Sequence, residues 1–562
     1  MSRSSRRRGK AFQQRSPNRG IGRDVADRRR RRQNQMRGPS VPAMLSFQGV
    51  RMDQIKPFGE ESGEHEVAVY KEAYHRFFFR EVPFLDACLD TETYMIIGRR
   101  GSGKTSISNF YGFQDQIKNA SCIDVNEPEV YTDVLSKISV DSGVFQEDLL
   151  VTKMVKVWQY AFWTMVFGHY QDDDPAIKSM ALTAQNPQKS PAHLIRLALE
   201  ALLEKFVNNK AVDFATAMEA YFKDRVFEKA VEAVVEISAR KPLIIAMDSL
   251  ERYDVENDGL MAATSALIQF ASDFNLRYAH KGLHLKVFVS AEVYPTLREK
   301  WITNLTKFVR RPLLLHWRPK DLARLICWRL AKYLESDPAF QEIRLPDVDW
   351  DDFKDVKKKV WETFFGREIQ NGGGTREHSF PYLLRHTQLR PRQIVVLCND
   401  IALKALQEGN FPFFSNANLV SQTRRVELDL ADEVIGSYAK AYKNIGEILD
   451  ALTAMPALFK GNELDKVAHR TKHAWPYGTY SVSKFRRLVT ELGIVGMVRS
   501  RDEQSRIIQA DFEYAQSNRL FLPHDAECVI HPMFFRKFNI RNTRDYIIYP
   551  FPDHPDFQEL GE

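Results

Sequence analysis

The chain has 562 residues, of which 44% are hydrophobic and eight are Trp. This length predicts two to four globular domains, and the composition excludes a largely disordered protein. No apolar run reaches the 18 residues of a membrane-spanning helix, and the N-terminal stretch lacks the apolar core of a secretory signal. The five cysteines lie far apart without a C-x-x-C pair. That spacing argues against a zinc site or a disulfide framework, and it predicts a reducing, cytoplasmic location.

Positive charge is concentrated at the N-terminus. Residues 1–40 contain thirteen Arg and one Lys against two Asp, a net charge of +12, whereas the whole chain carries +7 and the remainder therefore −5. Such a segment cannot bury a core, so we expect a disordered arm. The arm either contacts nucleic-acid phosphates in a salt-dependent way or is a solvated tail; translation from Met36 or Met44 would remove most of it. The candidate contacts are Arg6, Arg7, Arg8, Arg28, Arg29, Arg30, Arg31 and Arg32.

The stretch from Gly98 to Thr105 fits the pattern G-x-x-x-x-G-K-[ST]. An apolar run before it predicts a buried strand, and a helix follows. Glycines allow a tight turn there, and backbone amides at the helix N-terminus can converge on phosphate oxygens. We expect Lys104 to contact the β- and γ-phosphates and the Thr105 hydroxyl to hold Mg²⁺. The predicted nucleotide-binding residues of this loop are Gly98, Gly101, Ser102, Gly103, Lys104, Thr105 and Ser106.

Strand and helix patterns alternate after this loop. Strands are predicted at 121–125, 241–248, 285–289 and 312–315, with a nearly all-round buried helix across 151–167 and two more helices within 193–239. A strand beside the loop strand would present Asp248 to the Mg²⁺ held by Thr105. Ser290 and Glu292 follow the third of these strands and are either γ-phosphate or water contacts or a plain polar cap. The alternation predicts a parallel sheet covered by helices on both faces.

The next segment begins with a helix predicted at 321–334. Residues 336–380 read as irregular, and Gly372–Gly374 predicts a mobile loop. Arg390 and Arg392 open a further helix at 394–406, where positive charge opposes the helix dipole. We interpret them as nucleotide-sensing arginines or, alternatively, as members of surface ion pairs.

The last third of the chain predicts three helices, at 445–458, 461–470 and 481–492, followed by a hairpin at 494–499 and 506–514. This is the order of a winged helix. The third helix carries Lys484, Arg486 and Arg487, which could lie on a phosphate backbone. Packing between domains or subunits is the alternative that we prefer for this region.

With these motifs the chain resembles the P-loop ATPases of the STAND, KAP and AAA+ superclass. The resemblance covers about residues 55–540 and rests on four matches: Gly98–Thr105, Asp248–Arg252 where relatives tend to have D-D-L-D-R, His316–Leu322, and Arg390–Arg392. Val529–Phe534 is similar to a segment that closes a winged-helix region in a bacterial P-loop group. The implied domains are an Arg-rich tail (1–40), a P-loop NTPase domain (41–317), a helical lid or sensor segment (318–425) and a winged-helix-like domain (426–562).

The resemblance implies ATP and Mg²⁺ as ligands and a bacterial ATP-binding molecular switch, with stress or phage-defence roles among its relatives. Lys104 and Glu251 are the catalytic candidates, and Thr105 and Asp248 the metal ligands. AAA+ proteins usually carry a glutamate directly after the Asp248 position, whereas this chain has Ser249, so ATP binding is expected more firmly than fast hydrolysis. Two alternatives stay open: a DNA-handling AAA+ ATPase similar to origin-recognition proteins, and a nucleotide-stabilised scaffold. An oligomer or protein partner would use the winged-helix-like region.

Overall fold

The computed structural model of the chain describes residues 56–70, 74–90, 92–110, 120–141, 147–182, 190–207, 214–248, 257–302, 304–340, 342–515 and 519–551. These residues all fall within the compact unit that spans 49–562. The arginines of the tail and Glu251 lie outside the described residues, so the predictions that concern them stay predictions.

Helices and strands alternate along the first part of the chain, as the sequence predicts. The strands are β1 (Met95–Gly98), β2 (Ser121–Val125), β3 (Leu243–Met247), β4 (Leu283–Ser290), β5 (Leu313–Leu314), β6 (Glu368–Gln370), β7 (Arg376–His378), β8 (Leu458–Lys460), β9 (Val495–Asp502), β10 (Ile507–Asp511), β11 (Glu527–Ile530) and β12 (Ile547–Tyr549).

The α-helices are α1 (Gly63–Tyr70), α2 (Tyr74–Phe77), α3 (Pro83–Leu89), α4 (Lys104–Phe110), α5 (Thr132–Asp141), α6 (Glu147–Tyr170), α7 (Pro175–Met180), α8 (Pro191–Leu202), α9 (Phe214–Phe222), α10 (Arg225–Ser238), α11 (Asp258–Tyr278), α12 (Tyr294–Thr296), α13 (Leu305–Phe308), α14 (Pro319–Ser336), α15 (Phe353–Val356), α16 (Glu362–Phe365), α17 (Ser379–Leu384), α18 (Pro391–Gln407), α19 (Asn416–Ser437), α20 (Ile445–Leu449), α21 (Glu463–Arg470) and α22 (Val482–Glu491). Short π-helical turns extend α8, α12 and α15.

The five strands β1 to β5 form a parallel sheet in the order β2-β3-β4-β1-β5, flanked by helices. Every residue of β1, β3 and β4 is buried, which requires cover on both faces of the sheet. The α/β class with a parallel sheet is therefore confirmed. One detail was wrong: β3, which leads to Asp248, does not pair with β1, because β4 lies between them.

The core beside this sheet is built on α6 and α11. The all-round aromatic pattern predicted for 151–167 matches its burial, since Trp158 is fully enclosed and its indole N–H donates to the carbonyl of Ala263 at 2.8 Å. Trp163 stacks on Phe167 one turn later. A large ring whose single polar atom is satisfied can be buried at little cost, so this helix serves packing.

A second five-stranded sheet occupies the C-terminal part, in the order β12-β10-β9-β11-β8. The predicted hairpin is present as β9 and β10, which pair antiparallel. Two expectations were wrong. The predicted helix 445–458 ends early and reaches a strand at Leu458, and residues 336–380 contain short helices and the β6–β7 hairpin. The observed order is helix, strand, helix, helix, hairpin, and β11 and β12 complete the sheet. The winged helix itself stays a prediction.

One buried cation stabilises the junction of α3 and β1. Lys286, fully buried in β4, donates from Nζ to the carbonyl oxygens of Asp90, at 2.6 Å, and Thr93. Burial lowers the pKa of Lys286 to about 8, although Cys88 and Asp90 act in the opposite direction.

The free energy of unfolding is therefore expected to depend on pH through Lys286. Between pH 8 and 10.5 the unfolded chain retains a proton on this lysine that the folded chain has lost, so stability rises with pH in that window. Comparison with Lys286→Met isolates this effect. The free energy of unfolding of the wild type minus that of the variant should increase by about 2–3 kcal/mol across the window. Urea unfolding at pH 8, 9 and 10 measures it, and a pH-independent difference would contradict it.

Candidate functional site

The loop 98–105 connects the end of β1 to the first residue of α4. Gly101 and Gly103 have φ angles of +81° and +96°, which side chains other than glycine rarely accept, and the amide of Ser102 donates to the carbonyl of Arg99 at 3.0 Å. A Cβ at Gly98 would collide with the Ser102 hydroxyl. The predicted tight turn at a helix N-terminus is thus present, and each of these glycines has a steric reason.

Three predicted residues meet at the start of α4. Lys104 is 5% exposed, and its Nζ donates to the carbonyls of Gly98 and Arg99 at 3.1 and 3.4 Å. The Thr105 hydroxyl donates to Oδ2 of Asp248 at 2.6 Å, although the two residues are 143 positions apart. Asp248 is fully buried. The strand order supports this meeting because parallel strands end at one edge of the sheet.

Ser290 and Glu292 lie at the end of β4, between β1 and β3. The Ser290 hydroxyl donates to Glu292, which also accepts the Arg100 amide at 3.0 Å. Burial alone would raise the pKa of Glu292, but Arg390, Lys104 and Arg99 outweigh it and hold that pKa below its ordinary value. Glu292 is therefore ionised at neutral pH among three cations.

Arg390 and Arg392 contact the loop from the start of α18. Arg390 is 2% exposed, and its Nη1 donates to the carbonyl of Arg100 at 3.1 Å. The Arg392 amide donates to the carbonyl of Gly101 at 3.3 Å, and its side chain reaches Glu433 on α19 at 3.2 Å. The alternative of a surface ion pair applies only to the end of the Arg392 side chain, which pairs with Glu433. Both arginines lie against the loop.

A cavity of about 370 Å³ opens at this loop. Residues 60–66 line it with the carboxylates of Glu60, Glu61, Glu64 and Glu66, and the start of α18 and residues 436–441 line it as well. The acidic wall was not predicted. Its only signal in the sequence is the group of glutamates just before α1 and in its first turn, which is also typical of a solvated surface.

Two side chains from distant helices fix this acidic wall. Arg329 of α14 donates to the carbonyl of Phe58 at 2.8 Å and pairs with the buried Glu66. Asn399 of α18 accepts from the Phe58 amide at 3.0 Å and donates to the Gly59 carbonyl at 2.8 Å. The wall of the cavity therefore depends on residues more than 250 positions away.

A further carboxylate, Asp124 at the end of β2, also lies beside α4. It accepts hydrogen bonds from the Ser108 hydroxyl and from the Asn126 amide. Burial raises the pKa of Asp124 to about 6, with Glu64 adding to the effect and the two hydrogen bonds opposing it. A group that titrates near neutral pH at this edge of the sheet was not singled out by the sequence.

The C-terminal sheet is linked to the loop by buried polar contacts. Arg390 donates from Nη2 to Oε1 of Gln388 at 2.9 Å, and the Gln388 amide donates to the carbonyl of Leu492, just after α22, at 2.6 Å. Arg99 also lies over the ring of Tyr514, 5.7 Å from its centroid. Gln388 and Tyr514 were not predicted, since an isolated glutamine or tyrosine gives no recognisable pattern.

The basic residues of α22 are mostly engaged within the protein. Arg486 pairs with Asp465 at 2.8 Å and donates to the carbonyl of Gly461, and Arg487 pairs with Glu491 and with Glu513. Lys484, in contrast, is exposed. These ion pairs all lie within the C-terminal region and occupy two of the three basic side chains proposed for phosphate contact, while packing between domains or subunits stays a prediction.

Comparison with known proteins adds no identity: no family model and no curated protein matches the chain. Within the described segments, no helix has both the length and the apolar character that a bilayer crossing requires. The fold and the geometry of the loop therefore carry the functional argument.

Proposed function

We propose that this chain is a cytoplasmic ATP-binding molecular switch of the P-loop ATPase superclass, with slow hydrolysis. The observation that carries the proposal is the 2.6 Å hydrogen bond between Thr105 and Asp248 at the N-terminus of α4. A hydroxyl and a carboxylate are hard oxygen ligands of the kind that Mg²⁺ takes in nucleotide sites, and the helix N-terminus favours an anion beside them. When bound, Mg²⁺ would neutralise phosphate charge.

The other residues of the loop fit a triphosphate. Lys104 keeps its ammonium group against the carbonyls of Gly98 and Arg99, which are neutral acceptors. Phosphate oxygens would be stronger, charge-assisted acceptors for the same group. At Gly103 a Cβ would meet no atom within 4 Å, so the backbone there leaves room for close approach of a ligand. Ser102 and Ser106 would add backbone amides, and Arg390 and Arg392 would bring positive charge from α18.

Hydrolysis would require a carboxylate that orients water. Glu251 remains the candidate from the sequence. Glu292 is ionised and fixed by Ser290 and by the Arg100 amide, so it is the described carboxylate best prepared for this role. Its three neighbouring cations also reduce its basicity, which is consistent with a slow rather than a fast ATPase.

The switch itself would be the chain of contacts from Arg390 through Gln388 to Leu492. Arg390 contacts both the loop and Gln388, so a ligand that draws its guanidinium toward phosphate changes the hydrogen bond that Gln388 receives. Buried polar networks have few alternative arrangements, because an unpaired member is costly. Nucleotide state would thereby bias the position of the α22–β9 corner.

Gln388→Leu tests this coupling. In the wild-type chain we expect Mg·ATP to slow amide hydrogen exchange across 482–498, and in the variant we expect that protection to disappear while the ATP affinity changes less than about twofold. Gln407→Leu, on the exposed end of α18, is the matched control. Protection of 482–498 that survives in a folded Gln388→Leu chain would contradict the coupling.

A DNA-handling ATPase is the second candidate, favoured by the +12 charge of residues 1–40. If the arginines bind nucleic acid, the affinity for duplex DNA should be independent of base sequence and should fall about a hundredfold or more between 50 and 200 mM salt. Deletion of residues 1–35 should remove this component and leave ATP affinity intact. Fluorescence anisotropy with two unrelated duplexes measures both effects.

If the full and the shortened chain bound DNA equally well, DNA binding would be assigned to the region of Lys484. The DNA-handling ATPase would then be preferred to the molecular switch. The third candidate, a nucleotide-stabilised scaffold, is distinguished by tight ATP binding without measurable turnover.

A further inference from the structure

A second cavity, with a volume of about 680 Å³, lies between the β6–β7 turn, the end of α17, α19 and the segment 532–547. This volume is within the roughly 300–1,000 Å³ typical of small-molecule sites. The second cavity shares no lining residue with the cavity at the loop 98–105. It is therefore a separate feature that the switch proposal does not use.

The charged walls of the second cavity are mainly basic. Two of its arginines are already compensated: Arg385 forms two hydrogen bonds with the buried Glu377, at 3.0 and 3.2 Å, and Arg425 pairs with Asp400. Arginines paired in this way stabilise the fold and add little net positive charge to the cavity. The charged side chains that line the cavity are Arg385, Arg424, Arg425, Arg536, Glu427 and Asp545.

Arg424 and Arg536 provide the positive charge that remains. In the part of the chain that the structure describes, no carboxylate lies within ion-pair distance of Arg424, and the nearest one to Arg536 is Glu427, with Nε and Oε1 3.7 Å apart. Burial raises the pKa of Glu427 to about 7, although the neighbouring arginines oppose this. Near neutral pH Glu427 therefore only partly offsets the two guanidinium groups.

The guanidinium of Arg424, on an exposed side chain, lies against the β6–β7 turn. A Cβ at Gly372 would overlap it, so the absence of a side chain at Gly372 lets the two approach closely. The Asn371 side chain fixes the turn: its oxygen accepts from the amides of Gly373 and Thr375, at 2.9 and 3.0 Å, and its nitrogen donates to Glu377 at 2.8 Å. The turn expected to be a mobile loop is thus internally braced around an arginine.

A buried histidine, His386, is among the residues that line the second cavity. His386 is 9% exposed, and neither of its ring nitrogens makes a hydrogen bond among the described residues, although Nδ1 lies 3.1 Å from Oε2 of Glu427. Burial and the charge of Arg385 lower the pKa of His386, so the ring is neutral. A neutral imidazole carries one N–H donor and one acceptor nitrogen, so a donor and an acceptor are both unsatisfied at this ring. Leaving such an atom unpaired is costly unless a ligand satisfies it.

We infer that the second cavity binds a small phosphorylated molecule, with Arg424 and Arg536 on its phosphate and His386 on a neighbouring hydroxyl group. Planar guanidinium groups from two separate elements match the geometry of phosphate oxygens. A hydroxyl group can donate or accept a hydrogen bond, so a ligand that also carries one can satisfy an unpaired nitrogen of His386.

Calorimetric titration of the full chain with inorganic pyrophosphate tests the phosphate contacts. All variants carry Lys104→Ala, which weakens competing pyrophosphate binding at the loop 98–105. The Arg-rich tail contributes equally to the affinity of every variant. We expect the joint change Arg424→Ala and Arg536→Ala to reduce the remaining affinity at least about tenfold. Arg344→Ala, an exposed arginine outside both cavities, is the control and should have no effect. Unchanged affinity in the folded double variant would overturn the site.

A charge-preserving pair covers the case in which the alanine variants fail to fold. Arg424→Lys with Arg536→Lys keeps the charge and loses the planar fork, so an intermediate loss of affinity is expected. Ribose 5-phosphate as the second probe tests the hydroxyl contact: His386→Phe should weaken its binding about fivefold or more and leave pyrophosphate unaffected. An equal effect on both probes, or none, would overturn the role of His386.

Discussion

Lys104→Ala is expected to bind Mg·ATP about 10 to 150 times more weakly than the wild-type chain. Hydrogen bonds from a charged donor contribute roughly 1.5–3 kcal/mol, which corresponds to that range of affinity. The side chain is 5% exposed and ends at the mouth of the loop, so little solvent screening reduces its effect. Its present acceptors, the carbonyls of Gly98 and Arg99, also accept from the amides of Ala291 and Ser102, so they keep a partner after the change and the fold should survive.

Calorimetric titration of Mg·ATP measures this effect, with a thermal unfolding curve to establish that the variant is folded. Lys178→Ala, an exposed lysine on α7, is the matched control for loss of one positive charge. If the folded Lys104→Ala chain bound ATP as tightly as the wild type, the loop would not be the nucleotide site.

Asp248→Asn is expected to remove most of the Mg²⁺ dependence of ATP binding. The carboxylate is fully buried and receives the Thr105 hydroxyl, so the amide would keep the shape of the site but lose the negative charge that a divalent ion needs. We expect affinity in the presence of Mg²⁺ to fall about tenfold or more, toward the value measured with a chelator. Affinity without Mg²⁺ should change little.

Companion variants separate the metal ligand from the catalytic base. Thr105→Ser keeps the hydroxyl and should preserve Mg²⁺-dependent binding, whereas Thr105→Val should resemble Asp248→Asn.

Glu251→Gln should leave binding intact and slow only turnover. If it hydrolyses ATP at the wild-type rate, Glu251 is not the base, and Glu292→Gln becomes the next variant to measure. A normal response to Mg²⁺ in Asp248→Asn would exclude Asp248 as a metal ligand.

The loop was predictable because its information is local. Glycine spacing, one lysine and one threonine within eight residues specify the turn, and the apolar run before them specifies β1. The sequence did not reveal that β4 separates β1 from β3, because these strands are all apolar runs and carry no signal for pairing order. It indicated that Asp248 should approach Thr105, since both follow strands of one parallel sheet.

The walls of the site were not predictable for a different reason. Glu66 and Arg329 each look like an ordinary surface charge along the chain, and only the packing of α14 against residues 56–66 brings them together in a buried pair. Likewise, the role of Gln388 depends on its hydrogen bond to Leu492, which lies 104 positions later in the chain. In 336–380 the short strands and helices are below the length at which hydrophobic periodicity is informative.

The paired hydrogen bonds of Asn399 have a consequence for synthesis of the chain. They fix Phe58 and Gly59, from which Asn399 is separated by 341 and 340 residues. At translation rates of roughly 5–20 residues per second, residues 56–66 leave the ribosome about 17 to 70 s before the helix that fixes them is made. The proposed nucleotide site can therefore be completed only late, so nascent chains that stop before α18 should not respond to ATP.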